Sequence, residues 1–141
     1  LESINIHACP QLSDISGLST YSGTLDYFGL GDLGISSLSG LENITKFLSM
    51  EISNCPWLKS LDSLSNLQTE IEYLSLYDNG LQSLEGLKGV PRIAYLNINE
   101  NTQLENWCAI KDIFDATPVN QRNIYGNLVN PTSSADILNC D

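Results

Sequence analysis

Apolar residues recur along this chain in a rhythm that is clearest between Ile71 and Leu87. Ile71, Leu74, Leu76, Leu81, Leu84 and Leu87 are apolar, most positions between them are polar, and Asn79 stands at the midpoint. In one-letter form the pattern is LxxLxLxxNxLxxLxxL. Its first half alternates around Leu74 and Leu76, the period of a strand with one buried face. Its second half spaces leucines by three, which suits a tight helical or 3₁₀-like return. Asn79 fits the bend between them, where a buried amide can satisfy backbone groups of the neighbouring segment.

The pattern occurs four more times. The first copy reads Leu1, Ile4, Ile6, Cys9, Leu12, Ile15, Leu18, and the second Leu25, Phe28, Leu30, Leu33, Ile35, Leu38, Leu41. The third reads Phe47, Met50, Ile52, Cys55, Leu58, Leu61, Leu64, and the fifth Ile93, Leu96, Ile98, Asn101, Leu104, Trp107, Ile110. Copies start at 1, 25, 47, 71 and 93, in steps of 24, 22, 24 and 22 residues. Copies one, three and five carry an extra residue after the Cys/Asn position. A small-residue column, Gly17, Gly40, Ser63, Gly86 and Ala109, precedes the last inward residue of each.

One such unit cannot bury its own apolar face, so stacked units must share a core. The expected fold is α/β: a solenoid with a curved parallel sheet on its concave face, short helical or 3₁₀ turns on its convex face, and a C-terminal cap. Five repeats span 1–116 and the cap spans 117–141. Outward strand residues then form columns across the sheet: Ser3, Tyr27, Ser49, Tyr73, Tyr95; then Asn5, Gly29, Glu51, Ser75, Asn97; then His7, Gly31, Ser53, Tyr77, Asn99. A fourth, at the strand exit, is Ala8, Asp32, Asn54, Asp78, Glu100. No Lys or Arg falls in them, so the sheet presents tyrosines and small polar groups beside an acidic edge. Tyrosine supplies rigid contact area and a hydroxyl at low entropic cost, although sheet surfaces carry it in any case. Tyr27, Glu51, Tyr73, Ser75, Tyr77, Tyr95 and Asn97 are the candidate ligand-binding residues.

Ser19–Thr24 and Ser65–Glu70 read as polar connectors that set the longer steps. Trp107, Ile110, Ile113 and Phe114 recur at helical spacing, which predicts a helix over Trp107–Ala116, stopped by Thr117-Pro118. After Asn120 the pattern decays, and Ser133 to Asp136 offers a capping box before Ile137 and Leu138. A last edge strand and a short helix sealing the core are expected there. The chain opens on an inward repeat position with no cap before it, the expectation for a segment of a longer protein whose signal or anchor lies upstream.

Charge removes some functions. Six basic against 17 acidic residues give a net −11, and 1–45 hold no Lys or Arg, so no basic stripe exists to neutralise phosphates. The acidity reads as solubility rather than as a specific basic partner. No apolar run approaches the ~20 residues of a membrane span. With 141 residues, 42% of them hydrophobic, one folded domain is expected. Asn43-Ile44-Thr45 matches a glycosylation acceptor, a tripeptide common by chance.

Four cysteines allow three pairings. Cys9 and Cys55 occupy one column two strands apart, roughly 9–10 Å at the strand spacing and beyond the ~7 Å Cα reach of a disulfide. They read as buried thiols in the asparagine position. The column of Cys108 otherwise holds Ser16, Ser39, Asp62 and Glu85, solvent-facing types, and this predicts a Cys108–Cys140 bridge to the cap in an oxidising compartment. Two free thiols in a reducing compartment are the alternative.

The repeat columns from Leu1 to about Ile110 resemble leucine-rich repeat proteins, most closely the secreted or surface-displayed bacterial, internalin-like kind. The ending through Asn130-Pro131-Thr132, Asp136-Ile137 and Cys140 is similar to C-terminal caps of such proteins. The 24-residue steps and the Cys or Leu33 at the asparagine position depart from that pattern. The resemblance implies non-enzymatic recognition of a protein ligand through the concave face. It implies an extracellular or cell-surface setting, with no cofactor or metal, a monomer, and a host or cell-surface glycoprotein as partner. A glycan-binding module and a structural spacer are the alternatives. Catalysis is disfavoured: His7 is the only histidine and has no visible orienter, and no phosphate loop or close-spaced Cys/His cluster occurs. Asp32, Asp78 and Glu100 read as a solvated rim before they read as a Ca²⁺ site.

Overall fold

The computed structural model describes residues 2–141; Leu1, the first inward position of the pattern, lies outside them. Six strands form one parallel sheet in chain order: β1 (Ser3–Cys9), β2 (Gly23–Leu33), β3 (Ile44–Ser53), β4 (Ile71–Tyr77), β5 (Ile93–Asn99) and β6 (Arg122–Tyr125). Return segments join them, with 3₁₀ turns at Ser16–Thr20, Asp62–Leu64, Glu85–Leu87 and Cys108–Ile110. The leucines spaced by three line these returns, since i and i+3 eclipse in a 3₁₀ turn.

The inward residues meet between sheet and returns. Phe28, Met50, Leu74 and Leu96 from the strands and Leu61, Leu84 and Trp107 from the returns are all buried in one core. The rings of Phe28 and Phe47 pack 5.2 Å apart within it. Successive strands register without slippage along the predicted outward columns, for example Ser49 to Tyr73 to Tyr95 and Glu51 to Ser75 to Asn97. A slip of one residue would expose the whole core set.

At the strand exit the chain bends through left-handed backbone at Ala8, Asp32, Asn54, Asp78 and Glu100, with φ between 53° and 60°. Gly126, at φ 72°, repeats the bend after β6. Buried asparagines then tie one bend to the next. The Cys55 N–H donates to Asn79 Oδ1 (3.1 Å), and Asn79 Nδ2 donates to the Ile52 carbonyl (2.9 Å). Asn101 does the same for the Asn79 N–H (3.0 Å) and the Leu76 carbonyl (3.0 Å). Asn127 continues the ladder with the Asn101 N–H (3.0 Å) and the Ile98 carbonyl (2.8 Å).

Several expectations need correction. Cys9 is an exposed thiol; only Cys55 is buried. Among the described residues β1 has a neighbour on one side alone, so nothing covers Cys9 as β4 and the Asn79 bend cover Cys55. Helix Trp107–Ala116 shortens to a 3₁₀ turn and one α-helical turn, α1 (Lys111–Phe114), because Trp107 turns inward as part of the core. The connector Ser19–Thr24 ends early, since β2 already begins at Gly23. In the cap, the capping box is present on a three-residue 3₁₀ turn, Ser134–Asp136, after which Ile137 is buried and Leu138 exposed.

One charged residue occupies an inward position. Arg122 aligns with Leu96, its side chain is 9% exposed, and its guanidinium sits 4.7 Å from the Phe114 ring and 3.6 Å from Asp115. Cation–π contact and the carboxylate together offset its desolvation.

Candidate functional site

The outward face of the sheet divides into two parts. On β2 the columns hold Gly29 and Gly31, and larger neighbours lie over the bare backbone. A Cβ on Gly29 would stand 2.6 Å from the Tyr27 hydroxyl and 2.8 Å from Asn5 Oδ1, and one on Gly31 would collide with the His7 imidazole. Tyr27 therefore lies down on the sheet and donates its hydroxyl to Glu51 Oε2 at 2.8 Å. Burial and the Glu51 carboxylate push the Tyr27 phenol up to about 12. Two predicted ligand residues thus satisfy each other, and this part of the face is largely closed.

The linkage sign follows directly. A tyrosine in the unfolded chain ionises near pH 10, whereas folded Tyr27 keeps its proton to about 12. Between these values the unfolded state binds fewer protons, so stability is complete below pH 10 and declines as pH rises to 12. Ultraviolet titration should show one tyrosine ionising last, and Tyr27→Phe should remove that step and flatten the alkaline decline. A last step that survives Tyr27→Phe refutes the assignment.

Over β4 to β6 the face is open and built from hydroxyls and amides. Asn97 is its hub: its Nδ2 donates to the Tyr73 hydroxyl (3.4 Å) and Ser75 Oγ (3.3 Å), and its Oδ1 accepts from Asn123 Nδ2 (3.0 Å) and from Asn99 Nδ2. Tyr73, Ser75 and Asn97 are thus brought together as one network. Tyr95 stands beside it, half-exposed, while Tyr77 is exposed one column away and faces Tyr125 of β6 across Asn99. Asn99 itself is buried beneath this surface, not outward in the sense the alternation implies.

Asn120, Gln121 and Asn123 complete a cleft of about 230 Å³ with Tyr73, Tyr95 and Asn97. Sequence reasoning missed these three because the pattern decays before β6. The last edge strand expected there is β6, and the spacing of Ile124 to Asn127, which matches Ile98 to Asn101 and Leu76 to Asn79, could have fixed its register and its outward Asn123.

No lysine or arginine lines the cleft, and Arg122 of β6 turns its charge inward. At the strand exit Asp32 and Asp78 are exposed, their spacing set by the left-handed bend. No cluster of metal-ligating side chains forms among the described residues. At the cap Cys108 and Cys140 are disulfide-bonded, with Cα atoms 5.5 Å apart. No helix of the described residues is long and apolar enough to cross a membrane.

Compared with known protein families, with curated proteins and with solved structures, the chain matches none.

Proposed function

We propose that this chain is a leucine-rich repeat solenoid of the exported, bacterial, internalin-like kind, a non-enzymatic module that binds a protein ligand through the outward face of its sheet. Five repeats over 1–116 and a cap over 117–141 make up the module, which acts as a monomer without a cofactor. One observation carries the reading: half-exposed Tyr77, Tyr95 and Tyr125 surround a pre-formed hydroxyl–amide network on hydrogen-bonded strands. Aromatic anchors around fixed polar groups are what recognition surfaces need. The disulfide supports an oxidising, extracellular setting.

The test is capture from cell-surface extracts by the unmutated chain and by Tyr77→Ala/Tyr95→Ala, both checked for native circular dichroism. A protease-sensitive partner should be captured at least ~10-fold less by the variant, since anchor tyrosines contribute about 2 kcal/mol each. The hydroxyl–amide network itself carries no charge, so salt should act on capture only through the acidic edge at Asp78 and Glu100. Equal capture by the variant, or a captured species that resists protease, sinks the reading.

A further inference from the structure

The cleft at the β5–β6 end of the face has a chemistry narrower than recognition in general. Its six polar liners are two tyrosines, three asparagines and a glutamine, and none carries charge at neutral pH. Amides and hydroxyls each offer donors and acceptors at once. A ligand read by them must do the same over a short span.

Part of the lining is fixed and part is vacant. Asn97 is held by four hydrogen bonds, to Tyr73, Ser75, Asn99 and Asn123. By contrast the Tyr95 hydroxyl and the side-chain amides of Asn120 and Gln121 make no hydrogen bond among the described residues. Asn123 donates one bond to Asn97, and its carbonyl oxygen is left without a donor. Free polar groups thus surround a rigid hub beside the half-exposed ring of Tyr95.

We propose that this cleft is a subsite for one neutral pyranose ring, seated against Tyr95 with its hydroxyls read by Asn120, Gln121 and Asn123. The inference rests on the recognition reading of the same face, and it assigns the ligand's chemistry there: a neutral sugar carried by the bound glycoprotein. Adjacent sugar hydroxyls match alternating donors and acceptors, and the C–H face of a pyranose suits an aromatic ring. The cleft, about 230 Å³, has room for one ring. An acidic sugar is excluded by charge: the lining has no cation, and the chain carries −11.

The probes are methyl glycosides of glucose, galactose, mannose and N-acetylglucosamine, with the methyl glycosides of glucuronate and N-acetylneuraminate as acidic counterparts, titrated into the ¹⁵N-labelled chain. At least one neutral glycoside should shift the Asn97, Asn120, Gln121 and Asn123 side-chain amides saturably, with a Kd in the millimolar range. The acidic glycosides should bind at least ~10-fold more weakly. Asn123→Ala and Tyr95→Ala, exposed positions outside the core, should each weaken the neutral glycoside at least ~10-fold, whereas Trp57→Ala, an exposed aromatic on a return segment, should not. No saturable shift at 50-fold the expected Kd (about 50 mM for Kd about 1 mM), equal binding of acidic sugars, or unchanged binding by both variants overturns the subsite. Capture of a cell-surface partner that survives enzymatic deglycosylation, without any glycoside shift, overturns the subsite while leaving protein recognition in place.

Discussion

Replacing Asn101 with alanine is expected to lower stability by about 4 kcal/mol, because buried backbone groups stripped of a partner cost about 1–3 kcal/mol each. Asn101 is fully buried, and its amide serves the Asn79 N–H (3.0 Å), the Leu76 carbonyl (3.0 Å), the Asn99 carbonyl (3.1 Å) and Asn127 Oδ1 (3.1 Å). Alanine deletes all four and leaves a small cavity that water must enter against the packing of neighbouring bends. Asn66→Ala is the control: Asn66 is exposed and donates one bond, to the Glu42 carbonyl at 2.8 Å, so its loss should cost under about 1 kcal/mol. Urea titrations should show the Asn101→Ala midpoint falling with an unchanged m-value. A loss no larger than the Asn66 control would mean that the ladder is incidental to the fold.

The same ladder marks how far the chain can be read without coordinates. Strand alternation put Tyr27, Glu51, Tyr73, Ser75, Tyr95 and Asn97 in outward columns, and the observed register keeps those columns, because inward leucines leave no other face for them. Alternation says nothing about what lies flat upon the sheet. That depends on Gly29 and Gly31, which let Tyr27 and His7 fold down and close a part of the face that reads as open. Burial of Asn99 has a similar source, since Tyr77 and Tyr125 flank it in its own column. Asn120 and Gln121 come from the segment before β6, outside any periodic column, so no pattern could assign them to the cleft. The acidic positions at the strand exit read as a solvated rim in the sequence, but nothing there shows why they recur. In space they are the left-handed corner of each bend, where Asp and Asn are tolerated more readily than most residues and where Ala8 and Glu100 are less usual.

Removing the disulfide, by Cys108→Ser/Cys140→Ser, should cost about 3.7 kcal/mol on the loop-entropy account for the observed separation, which is 32 residues. That figure belongs to the unfolded chain, so it holds only if the folded tail stays docked without the bond. The contacts for this are present. Ile137 is buried, Lys111 Nζ donates to its carbonyl at 2.8 Å, and Ser134 gives its N–H (2.9 Å) and hydroxyl (2.5 Å) to Asp115. Trp107, buried in a pocket shared with Ile137 and Leu138, reports on the tail through its fluorescence. In a Trp57→Phe background, which removes the exposed second tryptophan, the double variant should therefore keep a native-like Trp107 spectrum while its urea midpoint falls. A red-shifted native spectrum would instead show the tail detached, with the loss coming from the folded state. A cost below about 1 kcal/mol would show that the bond staples nothing. The expected outcome bears on the setting as well: a cap that holds its shape but loses this much stability when reduced would be poorly matched to a reducing compartment and well matched to the exported one proposed here.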